Sequence, residues 1–130
     1  MADRQQGNAL VCIVDDDVSF REAIEGLVSS FGFSTRSFGS AQDFLRDHQA
    51  TDARCLILDI KMPGMTGLEL YGRLLEAGEP PPTIFISSVD DAGTRSKAMK
   101  AGAVGFFGKP FDRDALMATL HTVVEPMAGC

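Results

Sequence analysis

The chain has 130 residues, 45% of them hydrophobic and 23% charged, and holds no apolar run near the roughly 18 residues that a membrane span requires. That length suits a single domain able to bury a core without staples. A formal net charge of −6 disfavours direct nucleic-acid binding, which rewards clustered Lys and Arg, and favours a basic partner or a cation. The polar segment 1–8 lacks the apolar centre of a signal peptide, so a cytoplasmic location without membrane association is expected, with 1–8 as a loose tail. Cys12, Cys55 and Cys130 are odd in number and lack metal-ligand spacing, which suits reduced thiols; Cys12 and Cys55 read as core and Cys130 as exposed.

The run Ala9 to Val14 is continuously apolar, as a strand covered on both faces would be, and it ends on Asp15, Asp16 and Asp17. Phe20, Ala23, Ile24, Leu27, Val28 and Phe31 then recur at helical spacing until Gly32. Residues Phe33 to Phe38 are more polar, like an edge strand, and Ser40 to Asp43 opens a second capped helix with Phe44 and Leu45 inward. Arg54 to Leu58 is the next buried strand, ending on the lone acid Asp59. A Pro63-Gly64 turn follows, and Thr66 with Glu69 forms a capping box for a helix whose apolar stripe is Leu68, Tyr71, Leu74 and Leu75.

Thr83 to Ile86 is a fourth strand ending on Ser87 and Ser88. The helix from about Asp91 to Ala101 has a weak stripe resting on Ala98 and Met99, so it belongs to the less stable, movable part of the fold. Ala103 to Gly108 is the fifth strand, followed by Lys109 and Pro110. Asp112 caps a last helix carrying Leu116, Met117, Leu120, Val123 and Val124, and 125–130 reads as a second tail around a 9–124 domain.

Strict alternation of five buried strands with five helices predicts a doubly wound α/β fold with right-handed crossovers, a flavodoxin-like (βα)5 sheet of strand order 2-1-3-4-5. In that order the crevice beside the first and third strands is lined by Asp15, Asp16 and Asp59, with Ser87 and Lys109 at the next two tips. Singly, each residue has an ordinary reading: a strand-ending Asp bonding its own turn, a turn serine, a solvated lysine. Jointly, at consecutive tips on one sheet edge, they make a site. Clustered carboxylates without His or Cys favour Mg²⁺ or Mn²⁺, and a free carboxylate beside metal, ammonium and hydroxyl is a phosphoryl-transfer layout with Asp59 as nucleophile.

The chain resembles a response-regulator receiver domain of bacterial two-component signalling. The likeness runs from about Ala9 to Val124 and is carried by Val-Asp-Asp-Asp at 14 to 17, Leu-Asp-Ile-Lys-Met-Pro-Gly-Met-Thr-Gly at 58 to 67, Ile-Ser-Ser at 86 to 88, Ala-Met-Lys-Ala-Gly-Ala at 98 to 103 and Lys-Pro-Phe at 109 to 111. The resemblance implies that Asp59 accepts a phosphoryl group from a sensor histidine kinase. It further implies that Asp15, Asp16, Asp59 and the Lys61 backbone carbonyl hold Mg²⁺, that Ser87 and Lys109 bond phosphoryl oxygens, and that the bond before Pro110 is cis. Ser87 and Phe106 would be the switch residues, Phe106 turning inward in the active state, while Phe107 is ordinary core. The expected output face is the fourth helix, fifth strand and fifth helix, through which phosphorylation promotes homodimerisation or partner binding.

Phe106 and the Lys-Pro-Phe ending point to the FixJ-type receivers, which are usually joined to a DNA-binding domain absent from this sequence, so either a stand-alone regulator or an excised fragment is expected. Such a domain is not an enzyme in the ordinary sense; it catalyses only its own phosphorylation and dephosphorylation. Lys61 and Val89 occupy the positions that tune phosphoryl lifetime in the family, and His48 and His121 are expected to be solvated or stacked. Two rivals are weaker. A dehalogenase-type phosphatase with an aspartate nucleophile needs a second acid where Lys61 stands, and a nucleotide carrier needs a phosphate cradle where Asp15, Asp16 and Asp17 would repel phosphate. A degenerate receiver acting as a phosphorylation-independent interaction module would lack one of the five site residues, and all five are present.

Overall fold

The computed structural model describes residues 9–47, 52–78, 80–88 and 92–124. In chain order its elements are β1 (Leu10–Val14), α1 (Val18–Ser30), β2 (Ser34–Phe38), α2 (Ala41–Arg46), β3 (Cys55–Asp59), α3 (Gly67–Ala77), β4 (Thr83–Ser87), α4 (Ala92–Ala101), β5 (Gly105–Gly108) and α5 (Arg113–Val124). The strands form one parallel sheet in the order β2-β1-β3-β4-β5, the flavodoxin-like arrangement expected. The tails 1–8 and 125–130, and with them Cys130, lie outside the described residues, as do His48, Val89 and Asp91.

Period-two alternation sends successive strand residues to opposite faces. Cys12, Val14, Leu56, Leu58 and Phe85 pack with Phe44, Leu70, Tyr71 and Ala98, so α2, α3 and α4 cover one face. Val11, Ile13, Ile57, Ile84 and Ile86 pack with Ile24, Val28, Leu116 and Leu120, so α1 and α5 cover the other. The central strands β3 and β4 are buried along their whole length, whereas β2 at the edge is half exposed. Each side of the sheet thus has its own apolar layer, and in the central strands β3 and β4 the polar residues Asp59, Thr83 and Ser87 fall at the strand ends.

The helix starts match the sequence signals. Ser40 accepts from the Asp43 amide at 3.1 Å, and Asp112 accepts from the Ala115 amide at 3.1 Å. Thr66 and Glu69 form the full capping box, with bonds of 2.9 and 3.2 Å. Gly32 takes a φ of 95° just past Phe31, a conformation that closes α1 and that a side chain resists.

Most of each expected stripe packs on the core, Phe20, Ile24, Leu27 and Val28 in α1, Leu68, Tyr71 and Leu74 in α3, and Leu116, Met117, Leu120, Val123 and Val124 in α5, and the departures fall at single positions. In α3 the fully buried pair is Leu70 and Tyr71, and Leu75, expected inward, is 43% exposed. In α1, Ala23 and Phe31 face outward, and in α4 Met99 does so as well, leaving Ala98 alone in the core. Leu45 is likewise exposed. Strand β5 starts at Gly105, two residues later than expected: the Ala103 amide is still tied to the Ala98 carbonyl at the end of α4, at 3.1 Å, and Val104 meets the sheet through its amide bond to the Thr83 carbonyl, at 2.9 Å.

Candidate functional site

The β1 strand ends at Val14, yet its ladder extends one step: the Asp15 amide bonds the Phe38 carbonyl at 3.0 Å. That bond places Asp15 in the sheet, with none of its surface exposed. The chain then turns, which leaves Asp16 exposed and lets Asp17 cap α1 by accepting from the Phe20 amide at 3.2 Å. Of the three consecutive acids, the third is therefore a helix cap. The turn is held from both sides, by the Asp17 amide on Asp15 Oδ1 at 2.9 Å and by Arg21 Nη1 on the Asp15 carbonyl at 2.7 Å.

Asp59 is the last residue of β3 and is 2% exposed. One carboxylate oxygen from each of Asp15, Asp16 and Asp59 lies within 4.8 Å of the others. Lys109 reaches in from the end of β5, with Nζ 2.9 Å from Asp15 Oδ2 and 3.7 Å from Asp59 Oδ2. Ser87 ends β4 one residue beyond the partner of Asp59 and is fully buried; its carbonyl accepts the Lys109 amide at 2.8 Å. The five residues singled out from the strand tips thus stand on one sheet edge.

The loop after β3 presses close beneath this edge. The Gly67 amide bonds the Ile60 carbonyl at 3.0 Å, and a Cβ at Gly67 would collide with the Asp59 carbonyl oxygen. Glycine therefore lets α3 start directly under the Asp59 backbone. Lys61 contributes its backbone amide, which favours the charged form of the Asp59 carboxylate.

Two buried carboxylates facing one ammonium are under-neutralised. Burial first, and then the charge of Asp15, push the Asp59 pKa up to about 7, against the opposing pull of Lys109. Asp59 Oδ1 is buried with no hydrogen-bond partner, and Asp15 Oδ2 meets Lys109 as an ion pair without hydrogen-bond geometry. Unsatisfied buried carboxylate oxygens beside a third acid fit a divalent cation with oxygen ligands.

The surroundings include contacts that no local sequence pattern discloses. Lys109 Nζ lies 4.1 Å from the centroid of the Phe20 ring, and Phe111 meets that ring edge-on. Phe106 is buried, 6% exposed, in the layer with Tyr71 and Phe85. Arg95 from α4 covers its ring at 4.6 Å and donates to its carbonyl at 3.2 Å. Phe107 packs partly buried on the opposite face, as alternation requires. The Lys109–Pro110 bond is cis. His121, on α5, meets the Phe31 ring edge-on and the Phe33 ring at a tilt, and bonds the Met117 carbonyl.

A sequence model of the response regulator receiver domain matches residues 11–121. The chain belongs to the response-regulator receiver family. This receiver is 43% identical over 117 residues to the response regulator protein TmoT of Ectopseudomonas mendocina, a match covering 90% of this chain and 53% of that protein. It is 34% identical over 121 residues to the transcriptional regulatory protein FixJ of Bradyrhizobium diazoefficiens, covering 91% and 59%, in keeping with the FixJ likeness of its ending. Among solved structures, a response regulator receiver protein from Burkholderia phymatum superposes with a TM-score of 0.79 at 39% identity, covering 90% of this chain and 95% of that one. The receiver spans about half the length of the curated relatives it matches, 53% of TmoT and 54% of TodT from Pseudomonas putida. Among its described residues no helix is long and apolar enough to cross a membrane.

Proposed function

We propose that this receiver is a phosphoryl-accepting switch in which Asp59 takes the phosphoryl group of a sensor histidine kinase. The observation that carries the reading is the buried, under-neutralised Asp59 carboxylate, with Oδ2 3.7 Å from Lys109 Nζ and Oδ1 unbonded. In the proposed step a carboxylate oxygen of Asp59 attacks the phosphorus of a phosphohistidine in line; the new P–O bond forms as the P–N bond breaks and the imidazole leaves. Lys109 turns from Asp15 to a phosphoryl oxygen, and the Ser87 hydroxyl bonds another. Asp15, Asp16, Asp59 and the Lys61 carbonyl are the groups that would hold Mg²⁺. A bound Mg²⁺ supplies positive charge beside the phosphoryl oxygens. Hydrolysis at the same site returns the domain to its resting state, so its chemistry serves signalling and not turnover.

The output depends on the contacts of Ser87 and Phe106. Phe106 already lies inward, under Arg95, so recruitment of Ser87 by the phosphoryl group acts on a packed β4/β5/α4 corner. The helix it acts on, α4, buries only Ala98, which makes it the element most easily displaced. We assign the α4/β5/α5 face to dimerisation or partner binding, and the transcriptional output named for FixJ comes to this chain as part of the same proposal. Moving such a domain from mostly inactive to mostly active takes about 5.5 kcal/mol of differential stabilisation, within reach of several charge-assisted bonds to one phosphoryl group. Treatment with acetyl phosphate and Mg²⁺, then borohydride reduction and peptide mapping, is expected to place the label on Asp59. Labelling at any other carboxylate, or none, would sink the proposal.

A further inference from the structure

We infer that Phe20 is a positioning residue for Lys109, its ring carrying the ammonium across the site between Asp15 and the group on Asp59. The inference rests on the reading of Asp59 as the phosphoryl acceptor. A lysine is a flexible point charge on a four-carbon stem, and fixing it requires more than one contact. Here one carboxylate captures it, with Nζ 2.9 Å from Asp15 against 3.7 Å from Asp59. An ammonium held by Asp15 alone would be drawn away from the nucleophile. The Phe20 face, 4.1 Å from Nζ, attracts the same cation without demanding one hydrogen-bond direction, so Nζ can pivot from Asp15 toward Asp59 while staying over the ring.

The ring is itself fixed. Phe20 is the third residue of α1, and its amide is bound by the Asp17 cap at 3.2 Å. Phe111 meets its ring at a centroid distance of 5.6 Å and an interplanar angle of 88°. Lys109 and Phe111, two residues apart, thus grip one ring, the first by charge on its face and the second by edge contact. The grip ties the start of α1 to the end of β5 across the site and shields the ammonium, leaving the Lys109 side chain 16% exposed. A desolvated ring–cation contact of this kind is strong enough to hold the geometry.

The full chain with Phe20→Leu keeps the apolar bulk and removes the ring. Its rate of phosphorylation by acetyl phosphate with Mg²⁺ should fall about three- to tenfold, the range a cation–π contact supports, with its thermal midpoint close to that of wild type. Phe20→Tyr should restore the rate, and in a Lys109→Met background Phe20→Leu should have no further effect. In a readout independent of phosphorylation, the Lys109 ε-methylene protons should resonate upfield in wild type through the ring current and return to ordinary values in Phe20→Leu. If Phe20→Leu folds poorly, Phe111→Leu, which frees the ring without removing it, should give a smaller loss of rate and a partial shift. A Phe20→Leu rate equal to wild type, the same loss in the Lys109→Met background, or unshifted ε-protons in wild type would overturn the inference. A wild-type chain that takes no phosphoryl group at all would instead overturn the reading of Asp59, and this inference with it.

Discussion

Neutralising Asp59 should make the metal-free protein more stable. The carboxylate is 2% exposed, one of its oxygens is unbonded, and it shares a single lysine with the fully buried Asp15. Burial and Asp15 push its pKa from 3.8 up to about 7, so between these values the folded chain keeps a proton that the unfolded chain has lost. The folded state binds more protons across that window, and stability falls as pH rises from about 4 to about 7, then levels off. At about 1.36 kcal/mol per pH unit the shift sets a ceiling of about 4 kcal/mol, and local relaxation and water entry reduce this to about 2–4 kcal/mol. The Asp59→Asn side chain carries no charge and gives its neighbours an amide in place of the unbonded oxygen. Urea unfolding of wild type and Asp59→Asn in EDTA should show the variant more stable at pH 8 by that amount, with the gap at pH 5 less than half as large. A variant no more stable than wild type at pH 8, or a gap indifferent to pH, would refute the electrostatic account.

The remaining predictions concern the cation, the loop and the cap. Millimolar Mg²⁺ should raise the thermal midpoint of wild type in a concentration-dependent way, as binding to the native state requires, and the rise should shrink sharply in Asp16→Asn, measured by differential scanning fluorimetry. Gly67→Ala should cost about 2 kcal/mol or more, because its Cβ would meet the Asp59 carbonyl and not a yielding side chain; chemical denaturation gives the value, and a neutral result would show that the close approach is relaxed. Thr66→Ala removes the acceptor of the Glu69 amide and should cost about 1 kcal/mol in the same assay.

The sheet edge is legible in the sequence because buried parallel strands are short apolar runs that stop abruptly. The polar residue at each stop, Asp15, Asp59, Ser87 or Lys109, is then the tip by default. The capping box at Thr66 and Glu69 and the closing Gly32 are legible for the same reason, each being a local pattern with one geometric meaning. The helix faces are legible in the main for α1 and α5 and less so for α3 and α4. In α3 the spacing stripe Leu68, Tyr71 and Leu74 does pack on the core, but Leu70, which lies outside that stripe, takes the most buried place and Leu75 faces out. Met99 is exposed because α4 touches the sheet chiefly through Ala98, a residue too small to declare a face. The pairs Phe20 with Lys109 and Arg95 with Phe106 join elements distant in the chain, and no periodicity encodes them. Phe20 reads in sequence as the first member of the α1 stripe, which it also is.

The central claim is that Asp59 is the phosphoryl acceptor. Intact-protein mass spectrometry after incubation with acetyl phosphate and Mg²⁺ tests it most directly. Wild type should gain the mass of one phosphoryl group, lost again with time or hydroxylamine, and Asp59→Asn should gain none. An unchanged wild-type mass, or an added mass that persists in Asp59→Asn, would contradict the account.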